Sequence, residues 1–352
     1  MAVDTPSRIS FASDNTAGAH PDVLQAVVDA NDGCVMGYGA DAYTAEAEEL
    51  FRSELGDRAQ PFLVFAGSAA NVIALQAVTR SGDVIICSSD SHVFMSECGA
   101  PERLTGAKLI GLQDDHGRIA PRQIAEQVRS GHDPHSGNPA AVSITQATEK
   151  CTVYRPKEIR AIADTAHEHG LKLHMDGARL ANAAVGLGVS LREITVDAGV
   201  DILSFGGTKN GLLGGEAVVC FDEETAHRLR YVRMQSLHLA SKMRFLSVQF
   251  SALLRDGLWR RCAENANATA TRLAAGLEGM PGVELLHPVE ANLVVASLPA
   301  AAVAALHDSF DFYDRGHADG KTIIRLVGTF RSTTDEVDAF LEAARRELEN
   351  GA

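Results

Sequence analysis

A chain of 352 residues, 45% of them hydrophobic, is long enough to bury a large core in one or two domains. Its formal net charge of -14 at pH 7 argues against a nucleic-acid or anionic-membrane partner, since both demand clustered Lys and Arg. The six cysteines are scattered without a CxxC pair and are expected to be reduced; no signal-peptide core or membrane-spanning run is read, so the cytoplasm is the expected location.

Short apolar runs at residues 61–66 (PFLVFA), 83–88 (DVIICS), 108–112 (KLIGL), 140–145 (AAVSIT), 171–175 (LKLHM), 201–205 (DILSF) and 216–221 (EAVVCF) read as buried, largely parallel strands. The segments 68–80, 121–129 and 156–169 carry apolar residues at helical spacing, with Pro121 and Pro156 where a first turn tolerates proline. Strand alternating with helix predicts an α/β layer fold with a mostly parallel sheet. Beyond residue 222 the rhythm changes to long helical stretches, 223–255 and 258–277. Strand-like runs follow at 283–286, 292–297 and 322–327, then a last helix from Thr334, which predicts a smaller C-terminal α+β domain. Residues 132–139 (HDPHSGNP) read as a loop, and residues 300–305 as helix. The expected division is an N-terminal segment, 1–20, that reaches the active site, a large domain, 21–250, and a small one, 251–352.

Only seven lysines are present, and one of them stands apart. Lys209 follows a buried strand within Ser-Phe-Gly-Gly-Thr-Lys-Asn-Gly, where small neighbours let a flat ligand approach the backbone. An apolar, glycine-rich setting lowers a lysine pKa and makes the amine nucleophilic. Asp176 ends the run Leu-Lys-Leu-His-Met-Asp, at the carboxyl end of a central strand, where α/β sheets bind ligands; the alternative is a helix N-cap. Arg179 either closes over a ligand carboxylate or phosphate or is a surface helix residue. Gly67, Ser68 and Ala69 open a helix after a strand, so their N–H groups can cradle a phosphate, unless this is an ordinary turn capped by Ser68. His92 can stack on a planar ring or be structural.

Other chemistries fit less well. Gly37-Tyr-Gly39 lacks the third glycine of a dinucleotide fingerprint, the 206–211 stretch lacks a P-loop ending, and His167 and His169 lie on different faces of a helix. No metal is expected.

Taken together, Phe11-Ala-Ser13-Asp14-Asn15, Gly67-Ser68-Ala69-Ala70-Asn71, His92, Asp176-Gly-Ala-Arg179-Leu-Ala-Asn182 and Ser204-Phe-Gly-Gly-Thr-Lys209-Asn resemble the low-specificity L-threonine aldolases, with the phenylserine-cleaving subgroup nearest. The resemblance spans nearly the whole chain and implies the fold-type I architecture of enzymes dependent on pyridoxal 5'-phosphate (PLP). It also implies cleavage of L-threonine, L-allo-threonine or phenylserine to glycine and an aldehyde, in a homodimer or homotetramer with shared active sites. Carried over by residue, Lys209 is the Schiff-base lysine, Asp176 the partner of the pyridine nitrogen, and His92 the stacking residue. Gly67, Ser68, Ala69, Arg179 and Thr208 bind the cofactor, and Ser13, Arg179 and Arg325 bind the substrate carboxylate. Arg233 and Lys242 are placed towards a neighbouring subunit's phosphate. One departure stands out: where many members carry Glu-Asn-Thr-His, this chain has Gln146-Ala-Thr148-Glu149, so His92 and Glu149, with a bound water third, become the candidates for the base that takes the hydroxyl proton. A β-eliminating lyase or an aminotransferase would use the same lysine, aspartate and cradle, and remains the alternative.

Overall fold

The computed structural model describes residues 8–130 and 135–350. The first seven residues and residues 132–134 of the expected loop lie outside the described residues. Strands appear in the order β1 (Ile9–Ser10), β2 (Gln60–Val64), β3 (Asp83–Ser88), β4 (Lys108–Leu112), β5 (Asn138–Thr145), β6 (Lys172–Gly177), β7 (Ile202–Gly206) and β8 (Glu216–Cys220). They continue with β9 (Glu284–Leu285), β10 (Leu293–Pro299), β11 (Phe310–Asp311), β12 (Tyr313–Ala318) and β13 (Lys321–Val327).

Seven of these form one sheet in the order β2-β8-β7-β6-β5-β3-β4. Pairings from β4 through β7 are parallel, and β8 runs antiparallel to both neighbours. The exception has a simple cause: residues 207–215, which join β7 to β8, are too few for the crossover that a parallel neighbour needs. That short connection carries Lys209. Helices cover both faces, so the strands are buried along most of their length, which is why they read as near-continuous apolar runs. Phe51, Phe205 and Phe250 meet beneath the sheet, with the Phe51 and Phe205 ring centroids 5.2 Å apart. The α/β expectation is met.

The C-terminal part forms a four-stranded antiparallel sheet, β12-β13-β10-β9, packed on the helices Leu258–Leu277 and Thr334–Asn350 through its own apolar cluster. Strand β1 pairs in parallel with β11, and the N–H of Phe11 donates to the Asp311 carbonyl. This pairing fixes where Ser13 and Asp14 emerge.

Two expectations are corrected. The stretch 223–255 is not one helix but two, Glu223–Gln235 and Arg244–Leu254. The first ends where Leu237 turns left-handed (φ 63°) and the N–H of His238 donates back to the Arg233 carbonyl, closing the last turn without the glycine that usually marks such a stop. Strand β12 has no counterpart in the expected elements, because its sequence, Tyr-Asp-Arg-Gly-His-Ala, is largely exposed at a sheet edge and has no apolar alternation.

Candidate active site

The carboxyl ends of the parallel strands converge on one cavity of about 380 Å³, lined by Gly67, Ser68, His92, Asp176, Ser204, Thr208, Lys209 and Glu216, among others. The strand register makes it so: Thr145 on β5 faces Asp176 on β6, and Asp176 faces Ser204 on β7. A smaller recess continues from it, bordered by Asn71, Thr145, Glu149 and Arg179.

Lys209 sits in a single 3-10 turn, Thr208–Asn210, anchored by the amide of Asn210, which donates to the Trp259 carbonyl at 2.9 Å. Among the described residues its amine has no hydrogen-bond or ion-pair partner. Burial, with the Arg179 charge nearby, holds the amine below the usual lysine range. Gly206 and Gly207 permit the fit: a side chain at Gly206 would meet the Ala178 backbone at 2.6 Å, and one at Gly207 would meet the Gly215 carbonyl at 2.6 Å.

Asp176 is buried and held from two sides. Its Oδ1 accepts the Ala178 N–H at 3.0 Å, and its Oδ2 accepts from Asn71 Nδ2 at 2.8 Å. It is not a helix cap, since the next helix, Leu180–Leu187, has Arg179 at its N-cap. Asn71 also donates to Glu97, whose Oε1 lies 2.9 Å from His92 Nδ1. That hydrogen bond raises the His92 pKa above its ordinary value, against the effect of burial. A continuous polar chain therefore links Asp176 to His92.

The helix Gly67–Val78 starts at the end of β2 with Ala66 at its N-cap and no side-chain cap, so the Ser68-capped turn is not what forms. Its first intrahelical bond runs from the Ala70 N–H to the Ala66 carbonyl, leaving the N–H groups of Gly67, Ser68 and Ala69 without helical acceptors. Gly67 and Ser68 border the cavity, while Ala69 packs on the apolar layer formed with Phe62, Val64 and Ile73. Nothing lies within 4 Å of where a Gly67 side chain would begin, so the cradle is open.

Glu149 follows β5. Its Oε1 accepts from the His92 N–H at 2.6 Å and from the Thr145 hydroxyl at 3.1 Å, and its Oε2 is enclosed without a partner. Burial, reinforced by Asp176, pushes its carboxyl up to about 7.

Arg179 is not a surface residue. It is largely buried in a two-pronged ion pair with Asp14, at 2.8 and 2.9 Å. Asp14 also accepts from Asn292 at 3.1 Å; although burial opposes it, Arg179 and Lys209 hold the Asp14 carboxyl below its usual range. Ser13 caps the Asp14–Thr16 turn. Neither Ser13 nor Arg325 borders the cavity. Arg325 stands on the Arg179 side, donating to the Ala12 carbonyl at 3.4 Å and lying against the Tyr313 ring, with Nε enclosed and unpaired; burial and the charges of Arg315 and Arg179 push it down to about 10. Arg233 borders a different cavity, with Tyr38, Glu48 and Arg230.

Asp14, Asn71, Glu97 and Glu216 were not singled out from sequence as site residues. Glu216 carried the clearest signal, a charge heading an otherwise apolar strand.

Comparison with known proteins agrees with this geometry. The beta-eliminating lyase family model matches residues 10–301. The low specificity L-threonine aldolase of Pseudomonas sp. (strain NCIMB 10558) is 44% identical over 299 residues, covering 85% of this chain and 86% of that protein. The protein of the same name from Pseudomonas aeruginosa is 44% identical over 84% of this chain and 86% of its own length. A solved structure of Leishmania major threonine aldolase superposes with a TM-score of 0.92 at 29% identity, covering 97% of this chain and 99% of that one. Sphingomonas wittichii serine palmitoyltransferase, at 16% identity and a TM-score of 0.76, shares the fold alone. The architecture is that of the PLP-dependent fold-type I enzymes. By family and by close relatives, the chain belongs to the beta-eliminating lyases and, within them, to the low-specificity L-threonine aldolases.

Proposed function

We propose that this protein cleaves L-threonine, L-allo-threonine and related L-β-hydroxy-α-amino acids such as phenylserine into glycine and an aldehyde, using PLP held at Lys209. The observation that carries this reading is the convergence on one cavity of an unpartnered amine (Lys209), an anchored carboxylate (Asp176) and the open N-terminus of the helix Gly67–Val78. These residues fit the cofactor. Lys209 would hold it covalently, and Asp176 would face its ring nitrogen. His92 would stack on the ring, and Gly67, Ser68 and Ala69, with the Thr208 hydroxyl, would take its phosphate. When bound, PLP supplies the electron sink that cleavage beside an amino group requires.

The chain's own residues do the rest. Arg179, which borders the recess, holds the substrate carboxylate and so fixes which bond at the α-carbon stands ready to break. Asn71 and the Ala178 N–H keep Asp176 aimed. Glu149, poised near neutrality with a free oxygen, takes the proton from the β-hydroxyl. His92, braced by Glu97, keeps its place over the ring.

In the same reading residues 21–250 form the cofactor-binding domain, residues 251–352 the smaller one, and the segment 1–20, through its described residues 8–20, reaches across to the site; the pairing of β1 with β11 supports this. Exposed Tyr38, Tyr231, Met234 and Leu237 support a homodimer or homotetramer. No helix among the described residues is long and apolar enough to cross a membrane; a cytoplasmic location belongs to the proposal.

Lys209→Ala, purified with added PLP, is expected to lose turnover and the visible absorption of lysine-linked cofactor. Full activity in that variant would end the assignment. Product analysis separates the eliminating and transaminating alternatives, because only the aldol cleavage yields glycine with an aldehyde.

A further inference from the structure

The cavity holds a carboxylate that the chemistry above does not use. Glu216 opens β8, is buried, and lies in register with Gly206 on β7 and Val64 on β2. Its Oε2 accepts the Gly207 N–H at 2.8 Å. The Thr208 hydroxyl donates to the Gly215 carbonyl at 3.3 Å and accepts the Gly215 N–H at 3.0 Å. Thus the two ends of the 207–215 connection are tied to each other, with Lys209 between them. Gly207 has no room for a side chain against the Gly215 carbonyl, so the connection has little freedom once these bonds form.

Few charged groups face Glu216. From the connection comes Lys209, and from the end of β6 comes Asp176; His92 borders the same cavity from the segment after β3. Asp176 already has Asn71 and the Ala178 N–H as partners, whereas Lys209 has none among the described residues. Resting on the reading that Lys209 carries the cofactor, we propose that Glu216 is the positioning residue of Lys209: its carboxylate fastens the connection that bears the amine and presents negative charge to it. Burial pushes the Glu216 carboxyl up to about 7, so that charge is present from neutral pH upward. There it opposes the burial and the Arg179 charge that depress the Lys209 amine.

The discriminating variant is Glu216→Gln, which keeps an oxygen for the Gly207 N–H but removes the charge; Glu216→Ala removes both. Two midpoints are read across the neutral and alkaline range. One is the pH at which the Lys209 peptide of the cofactor-free protein is half-labelled by acetic anhydride. The other is the pH midpoint of the Lys209-dependent visible absorption in PLP-loaded protein. In Glu216→Gln both midpoints are expected to fall, by about one pH unit, with thermal unfolding unchanged. Glu216→Ala is expected to add a several-fold faster loss of PLP on dilution. Wild-type midpoints in Glu216→Gln would overturn the proposal. Wild-type protein lacking any Lys209-dependent absorption would instead overturn the cofactor reading, and the labelling midpoint would still decide the role of Glu216.

Discussion

Glu149 offers a sharp test of how the site works. Its carboxyl is pushed up to about 7 from the ordinary glutamate value of 4.5, because burial and the facing Asp176 both disfavour the charged form. A base must be deprotonated to act, so one pH unit below 7 only about a tenth of the molecules would be competent, and kcat/KM should fall roughly tenfold per unit further down. The assay is the pH profile of kcat/KM for L-threonine, followed as aldehyde release. Glu149→Gln should lose on the order of 10²–10⁴-fold in rate, and its residual activity should lack the acid limb near pH 7. His92, raised above its ordinary value by its bond to Glu97, needs its own control. If Glu149→Gln keeps both its rate and the limb, while His92→Asn removes them, Glu149 is not the base.

Other perturbations follow from the same geometry. Asp14→Ala leaves the guanidinium of Arg179 buried without its partner; unfolding in denaturant should show a loss of about 3–5 kcal/mol, with a raised KM for the amino acid. Gly207→Ala forces a methyl group against the Gly215 carbonyl and the Leu212 side chain, and should cost about 1–3 kcal/mol by thermal unfolding, with weaker PLP retention.

The large sheet was legible because parallel strands are buried on both faces: Asp83–Ser88 and Lys108–Leu112 appear with the bounds their apolar runs suggest, and the others shift by a residue or two. The edge strand Tyr313–Ala318 was not, because exposed polar residues leave no periodic signal. The stop after Gln235 was hidden for a related reason, since a leucine rather than a glycine takes the left-handed position. At the site, residues that reach the cavity through local backbone geometry, such as Gly67, Asp176 and Lys209, could be read from their immediate neighbours. Residues that act by long-range contact could not. The bonds from Arg179 to Asp14 and from Asn71 to Asp176 join positions more than a hundred residues apart, and only the fold brings them together. Ser13 shows the same limit, since the residue beside it, Asp14, makes the contact with Arg179.

The central claim is that Lys209 and its surroundings carry out aldol cleavage. Its most direct test is the release of glycine and aldehyde from L-threonine and from L-phenylserine by the purified, PLP-supplemented protein, beside Lys209→Ala. Equal amounts of glycine and aldehyde from the wild type, and none from the variant, is the predicted result. PLP bound at Lys209 with no glycine formed from either substrate would contradict the claim and favour elimination or transamination at the same site.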